Sequence, residues 1–200
     1  MRYEFKYIVP ESKMELLRQM IMPFVNVDKF AEAEGSNQYT VRSIYFDNPR
    51  YDYYFEKIEG IKNRKKLRIR GYNEEDMSKI VFLEIKRKYD TPILKFRAPV
   101  VFSDALDIFE NAKLNGHIIN NALFPKGSEN SKRFFFQLYS NNLRPVVLVI
   151  YEREAYMCKF DETIRITFDK NLRSVSYPAI NDLFTEKDAK RSLLNNFIRK

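Results

Sequence analysis

A chain of 200 residues, 44% hydrophobic and 15% aromatic, is long enough to bury a core as a single domain over 1–200, and its composition excludes intrinsic disorder. A net charge of +8 and a pI near 9.4 point to an acidic partner: nucleic acid, an anionic membrane or phosphorylated small molecules. The lone Cys158 excludes an internal disulfide, no apolar run approaches the roughly 20 residues of a membrane span, and no signal peptide opens the chain, so a cytoplasmic location is expected.

Residues 2–9 read as a first strand that Pro10 ends, with Glu11-Ser12 opening an amphipathic helix carrying Met14, Leu17, Met20 and Ile21. Residues 38–47, rich in β-branched and aromatic types, predict a strand. Asn48-Pro49 turns the chain into a short aromatic helix between Tyr51 and Gly60. Charged strands follow near 65–72, 80–89 and 94–101, then a helix from about Ser103 to Asn111 with Ser103-Asp104 at its start. A loop with Asn115-Gly116 leads to a helix over 130–142, and strands near 145–157 and 163–169 complete the sheet. Residues 172–178 read as irregular, and 180–200 as mixed helical. The pattern predicts an α+β fold: an antiparallel meander with helices inserted between its hairpins, its strands able to close into a barrel with a charged interior.

Side chains on a strand alternate between faces, so apolar and basic residues at every second position separate cleanly. Leu67-Arg68-Ile69-Arg70, Glu84-Ile85-Lys86-Arg87-Lys88, Lys95-Phe96-Arg97, Arg2 to Tyr7 and Ile164 to Asp169 all show this pattern. Five such strands would line one surface with self-repelling charge, which makes sense where a strongly anionic ligand sits. Arg68 and Arg70 can grip phosphate oxygens bidentately. Arg153 joins the cationic face by parity, leaving Glu152 and Glu154 on the other. Glu84 among Lys86 and Lys88, Glu4 between Arg2 and Lys6, and Asp169 in phase with Arg165 are candidate ligands for Mg²⁺ or Mn²⁺ held against a polyphosphate. Carboxylates so placed count against a nucleic-acid face. His117 is the single histidine, so zinc sites and Cys-His nucleophiles are excluded, and neither a P-loop nor a Gly-rich phosphate cradle fits a chain with five glycines.

Taken in order, Arg2-x-Glu4-x-Lys6-Tyr7, Ser43-Ile44-Tyr45-Phe46-Asp47, Leu67-Arg68-Ile69-Arg70, Glu84-Ile85-Lys86, Lys95-x-Arg97, Tyr151-x-Arg153-x-Ala155-Tyr156 and Arg165-Ile166-Thr167-x-Asp169 resemble the VTC domain. That is the polyphosphate polymerase domain of the triphosphate tunnel metalloenzyme, or CYTH-like, superfamily. The resemblance runs from Arg2 to about Arg173. It implies an antiparallel tunnel that holds a triphosphate or polyphosphate with a divalent metal. By position, Lys6, Arg68, Arg70, Lys86, Lys95, Arg153 and Arg165 match the family's basic tunnel residues, with Arg2, Lys88 and Arg97 as second choices. The metal, Mn²⁺ or Mg²⁺, falls to Glu4, Glu84 and Asp169.

Two departures accompany the resemblance. Arg2 stands where other tunnel enzymes carry a first glutamate, and Asn196 to Lys200 stops where the family's last strand begins, so that wall is expected to be missing or truncated. The expected activity is phosphoryl transfer from ATP to inorganic polyphosphate. A triphosphatase acting through the same tunnel and a non-catalytic polyphosphate-binding module are the alternatives.

Overall fold

The computed structural model describes residues 3–33, 35, 37–73, 76–90, 93–111, 117–186 and 189–191. In chain order these form α1 (Met14–Ile21), β1 (Val25–Val27), α2 (Lys29–Ala33), β2 (Gln38–Asp47), α3 (Asp52–Ile58), β3 (Asn63–Tyr72), β4 (Ile80–Tyr89) and β5 (Ile93–Val101). After them come α4 (Phe102–Asn111), α5 (Gly127–Ser140), β6 (Arg144–Cys158), β7 (Arg165–Ser176) and β8 (Lys190–Arg191). The class is α+β, as expected, with helices inserted between the strands of one sheet in the order β5-β4-β3-β2-β6-β7-β8 and β1 paired with β6. The pairs β3–β4, β4–β5, β1–β6 and β7–β8 are antiparallel. No helix among the described residues is long and apolar enough to cross a membrane.

The chain divides into two compact units, one of Met1–Glu4, Arg42–Val149 and Val175–Lys187, the other of Phe5–Val41, Ile150–Ser174 and Asp188–Lys200. In the first unit the register sets Leu67 opposite Ile85, Ile85 opposite Phe96, and Ile69 opposite Leu83. This apolar face is covered by α4 and α5, whose Phe102, Ile108, Phe134, Phe135 and Leu138 are buried with Val81, Ala98 and Val100. Phe134 meets the edges of Phe46 and Phe109 at centroid distances of 5.7 and 6.4 Å. Each such ring or aliphatic side chain withdrawn from water contributes about 1.5–3 kcal/mol, which makes this layer the rigid backing of β3–β5.

The turn after β2 is built by Asp47, a buried carboxylate that accepts the backbone N–H groups of Asn48, Tyr53 and Tyr54 at 2.9–3.0 Å. It satisfies donors that the first turn of α3 cannot pair internally. Gly71 on β3 lies against the ring of Phe184, and a Cβ there would collide with it.

The second unit has its own core of Val25, Ala31, Tyr39, Val41, Ile150, Tyr151, Ala155 and Tyr156. Glu154 is buried in it and accepts bonds from Arg18 (2.9 and 3.0 Å), Lys170 (2.5 Å) and the Tyr156 hydroxyl (3.0 Å). Burial opposes its ionisation, but Arg18 and Lys170 prevail and hold the carboxyl at about 2.

Several expected elements differ. The strand over 2–9 is absent from the described residues 3–9, where Phe5, Tyr7 and Ile8 stay exposed, because alternation makes a strand only where a neighbour supplies the ladder. The helix expected from Glu11 begins with a 3-10 turn, Glu11–Lys13, and α1 buries none of its residues. Residues 172–176, expected to be irregular, continue β7. Asn171 adopts φ 52°, and after it Arg173 reaches Glu152 while Lys170 reaches Glu154, so one left-handed residue shifts the parity without ending the strand. Residues 180–184 form a 3-10 turn, and 192–200, where the missing final strand was expected, lie outside the described residues.

Candidate anion-binding site

The face of β3–β5 opposite the helices carries cations in transverse rows. Arg64 stands opposite Lys88; Lys66 opposite Lys86, and Lys86 opposite Lys95; Arg68 opposite Glu84, and Glu84 opposite Arg97; Arg70 opposite Phe82. Like charges directly across a ladder repel, and here three lysines share one row. Lys86 donates to Glu4 at 2.6 Å and Lys95 to Glu84 at 2.8 Å. Lys66 lies 6.0 Å from the Tyr45 ring centre. The backbone therefore concentrates positive charge here against its own electrostatics, and an anion is the group that relieves it.

Glu84 anchors the row below. It is fully inaccessible, with Oε2 accepting Nε and Nη2 of Arg68 (2.7 and 2.6 Å) and Oε1 accepting Lys95 and Arg97 (2.8 and 2.7 Å). Burial opposes the charge on Glu84, yet Arg68, Arg70, Lys95 and Arg97 together hold the carboxyl far below its usual range. Burial also opposes the charge on Arg68, but Tyr45 and Glu84 raise its pKa further. Lys95 goes the other way: desolvation outweighs Glu84 and brings its ammonium down to about 8. Tyr45 receives a bond from Arg68 at 3.0 Å, and although burial raises its phenol, Arg68, Arg70 and Lys66 leave it below the ordinary value. Arg70 is buried and donates to Ser43 at 3.0 Å, while Arg97 packs 4.2 Å from the centre of Phe82. These guanidiniums are preorganised, so little side-chain entropy remains to be lost on binding.

The second unit holds a smaller cluster. Arg153 forks onto both oxygens of Asp169 (2.6 and 2.7 Å) and covers the Tyr151 ring at 5.1 Å. Arg165 donates to the Tyr39 hydroxyl at 3.0 Å and pairs with Asp28 at 3.3 Å, while its Nε is buried without a partner. Arg153 lies on the face expected for it, and Glu152 and Glu154 on the other, where Arg173 and Arg18 meet them.

Of the residues singled out in the sequence, Arg68, Arg70, Glu84, Lys86, Lys88, Lys95 and Arg97 share one face, and Glu4 joins it through Lys86. Arg153, Arg165 and Asp169 belong to the second unit. Lys6 lies in the segment outside the sheet, and Arg2 lies outside the described residues. His117 pairs with Asp104 at 3.4 Å. Lys66 and Arg64 were missed although they continue the period of Arg68 and Arg70. Tyr45 and Ser43, on the neighbouring strand, carried no such signal.

The three carboxylates assigned to a metal do not fit a resident divalent ion as they stand. All four lone-pair directions of Glu84 are taken by cations, Glu4 pairs with Lys86, and Asp169 is filled by Arg153. No group of three metal-ligating side chains converges among the described residues.

The family described as the VTC domain matches residues 1–198. Subunit 4 of the vacuolar transporter chaperone complex of Schizosaccharomyces pombe is 26% identical over 183 residues, 82% of this chain and 24% of that protein. The subunit of the same name in Trypanosoma brucei brucei is 24% identical over 209 residues, 88% of this chain and 26% of that protein. The chain thus spans about a quarter of the length of these relatives. A solved structure described as a candidate adenylate cyclase of Bacillus halodurans aligns at TM-score 0.39 and 14% identity over 83% of this chain and 70% of that one.

Proposed function

Because this chain belongs to the VTC domain family, we propose that it binds inorganic polyphosphate on the cationic face of β3–β5 and extends it by phosphoryl transfer from ATP. The observation that carries this reading is the row Lys66–Lys86–Lys95, three like charges held side by side by the strand register. Repulsion along that row falls when phosphate oxygens enter, so binding draws on energy already stored in the fold. Arg68, Arg70 and Arg97 next to it supply forked donors for the oxygens that gain charge as the phosphoryl group moves.

Mn²⁺ or Mg²⁺ enters in this reading as part of the nucleotide substrate, since the described carboxylates are already engaged. Glu84 acts as an internal counter-ion that aims Arg68, Arg97 and Lys95. Within the second unit Arg153 and Arg165 form a separate set of candidate phosphate ligands, Lys6 and Arg2 remain candidates, and the family match over residues 1–198 supports reading 1–200 as one domain. The engagement of every assigned carboxylate favours a second reading, a polyphosphate-binding module without turnover.

Incubation with ATP and Mn²⁺, assayed for polymer and for free phosphate, tests the reading, with Lys66→Ala and Lys86→Ala alongside. Polymer that disappears in both variants is the expected result. Free phosphate alone indicates a triphosphatase. Neither product, with tripolyphosphate binding weakened about tenfold per lysine removed, leaves the binding module.

A further inference from the structure

On the helix-covered side of the same three strands, α5 leaves a cleft of about 340 Å³ lined by Lys65, Ile85, Arg87, Phe96, Lys132, Arg133, Phe136 and Gln137. Its floor is apolar, and Phe136 is 66% exposed there although α5 buries its neighbours Phe134 and Phe135. Its rim is cationic. Lys65 and Arg87 stand directly opposite each other across β3–β4, a like-charge pair whose repulsion no lining carboxylate offsets. Lys65 donates to neutral Gln137 at 2.8 Å, and Arg133 spans Glu129 and the Phe96 ring, 5.2 Å away. Acidic groups beside the rim are Glu129, already paired with Arg133, and Glu56, whose carboxyl burial pushes up although it accepts a bond from the Lys65 backbone and feels the Lys65 charge. Lys132, exposed on α5 one turn before Phe136, adds a further positive charge.

An apolar floor inside a cationic rim matches a ligand with a flat apolar part and an anionic tail, and the volume lies at the small end of the range of about 300–1,000 Å³ for ligand pockets. Inorganic phosphate chains have no use for the floor. We propose that this cleft binds a nucleoside phosphate, the base against Phe96 and Phe136 and the phosphates on Lys65, Arg87 and Lys132. The site lies on the opposite face from the lysine row and does not depend on the function proposed for that row.

The test is calorimetric titration of the chain with ADP and, separately, with tripolyphosphate. Three variants are compared with the parent: Arg87→Glu with Lys132→Glu, Phe136→Ala, and Lys66→Ala with Lys86→Ala. Arg87, Lys132 and Phe136 are exposed, and unchanged melting temperatures check that the fold is kept. The proposal expects the first two variants to weaken ADP at least about tenfold while the strongest tripolyphosphate binding is retained. Unchanged ADP binding in the charge-reversed variant overturns it. Equal losses of ADP and tripolyphosphate in that variant, with no effect of Phe136→Ala, also overturn it, because they describe a site for phosphate alone. Tripolyphosphate binding unaffected by the lysine-row variant counts against the proposed function and leaves the cleft standing.

Discussion

Glu84 is inaccessible to solvent, and three cationic side chains converge on its two oxygens. A carboxylate in that position serves the cations around it more than any ligand of its own. Glu84→Gln keeps the shape and removes the charge, leaving Arg68 and Arg97 on either side of a neutral residue. The expected cost is about 3 kcal/mol of stability, read as a lower denaturant midpoint at unchanged slope. A variant as stable as the parent would show that the arginines find other partners. Lys95 carries the opposite message. Its ammonium sits at about 8 in the folded chain against an ordinary 10.5. Between those values the unfolded chain holds the proton more often than the folded one, so this group's contribution to stability rises with pH across the window and is unfavourable below it. A bound phosphate favours the charged form, so tripolyphosphate affinity should fall as pH rises from 7 to 9. Lys95→Gln should flatten the part of that slope that the ligand's own titration does not explain. An identical slope in both proteins removes Lys95 from the site.

The strands that form this face are held by close packing on their other side. Gly71 lets β3 pass against Phe184, and an added methyl has no space because an aromatic ring cannot retreat as a flexible chain end would. Gly71→Ala is expected to cost about 1–3 kcal/mol, seen as a lower melting temperature, and to displace Arg70 beside it. Full stability in that variant would mean that the turn carrying Phe184 moves freely. Asp47 plays a comparable part at the other end of the unit. The motif in which it stands is read most simply as a strand ending in an acid, yet its carboxylate caps α3 and sets where β2 stops. The parity change at Asn171 belongs to this scale as well: one residue at φ 52° brings both Lys170 and Arg173 onto the carboxylates of β6.

For the molecule as a whole, 35 basic residues against 27 acidic ones attract polyanions of many kinds, so charge alone gives affinity without selection. Raising salt from about 0.05 to 0.5 M should weaken long-duplex DNA binding far more steeply than tripolyphosphate binding, because preorganised, partly buried arginines are screened less than exposed lysines. Parallel salt slopes for the two ligands would favour a non-specific basic surface over a site.

Period-two alternation was enough to sort cations from apolar residues over Leu67–Arg70, Leu83–Lys86 and Lys95–Arg97, with Lys65 and Arg87 left on the apolar face, because the side-chain direction of a strand is a local property of the backbone. The same logic placed Arg153 opposite Glu152 and Glu154, and the order of the motifs was enough for the family. It failed at residues 3–9, which alternate as well as any strand but join no strand ladder among the described residues, since a ladder needs a neighbour that no local pattern supplies. Register was equally hidden. That Lys66, Lys86 and Lys95 share a row, and that Glu84 is enclosed by Arg68, Lys95 and Arg97 and not open to a metal, depends on how three distant segments align. Sequence by itself determined which residues face the same way; tertiary structure alone decided which of them touch, because contact across strands is settled by packing between segments far apart in the chain.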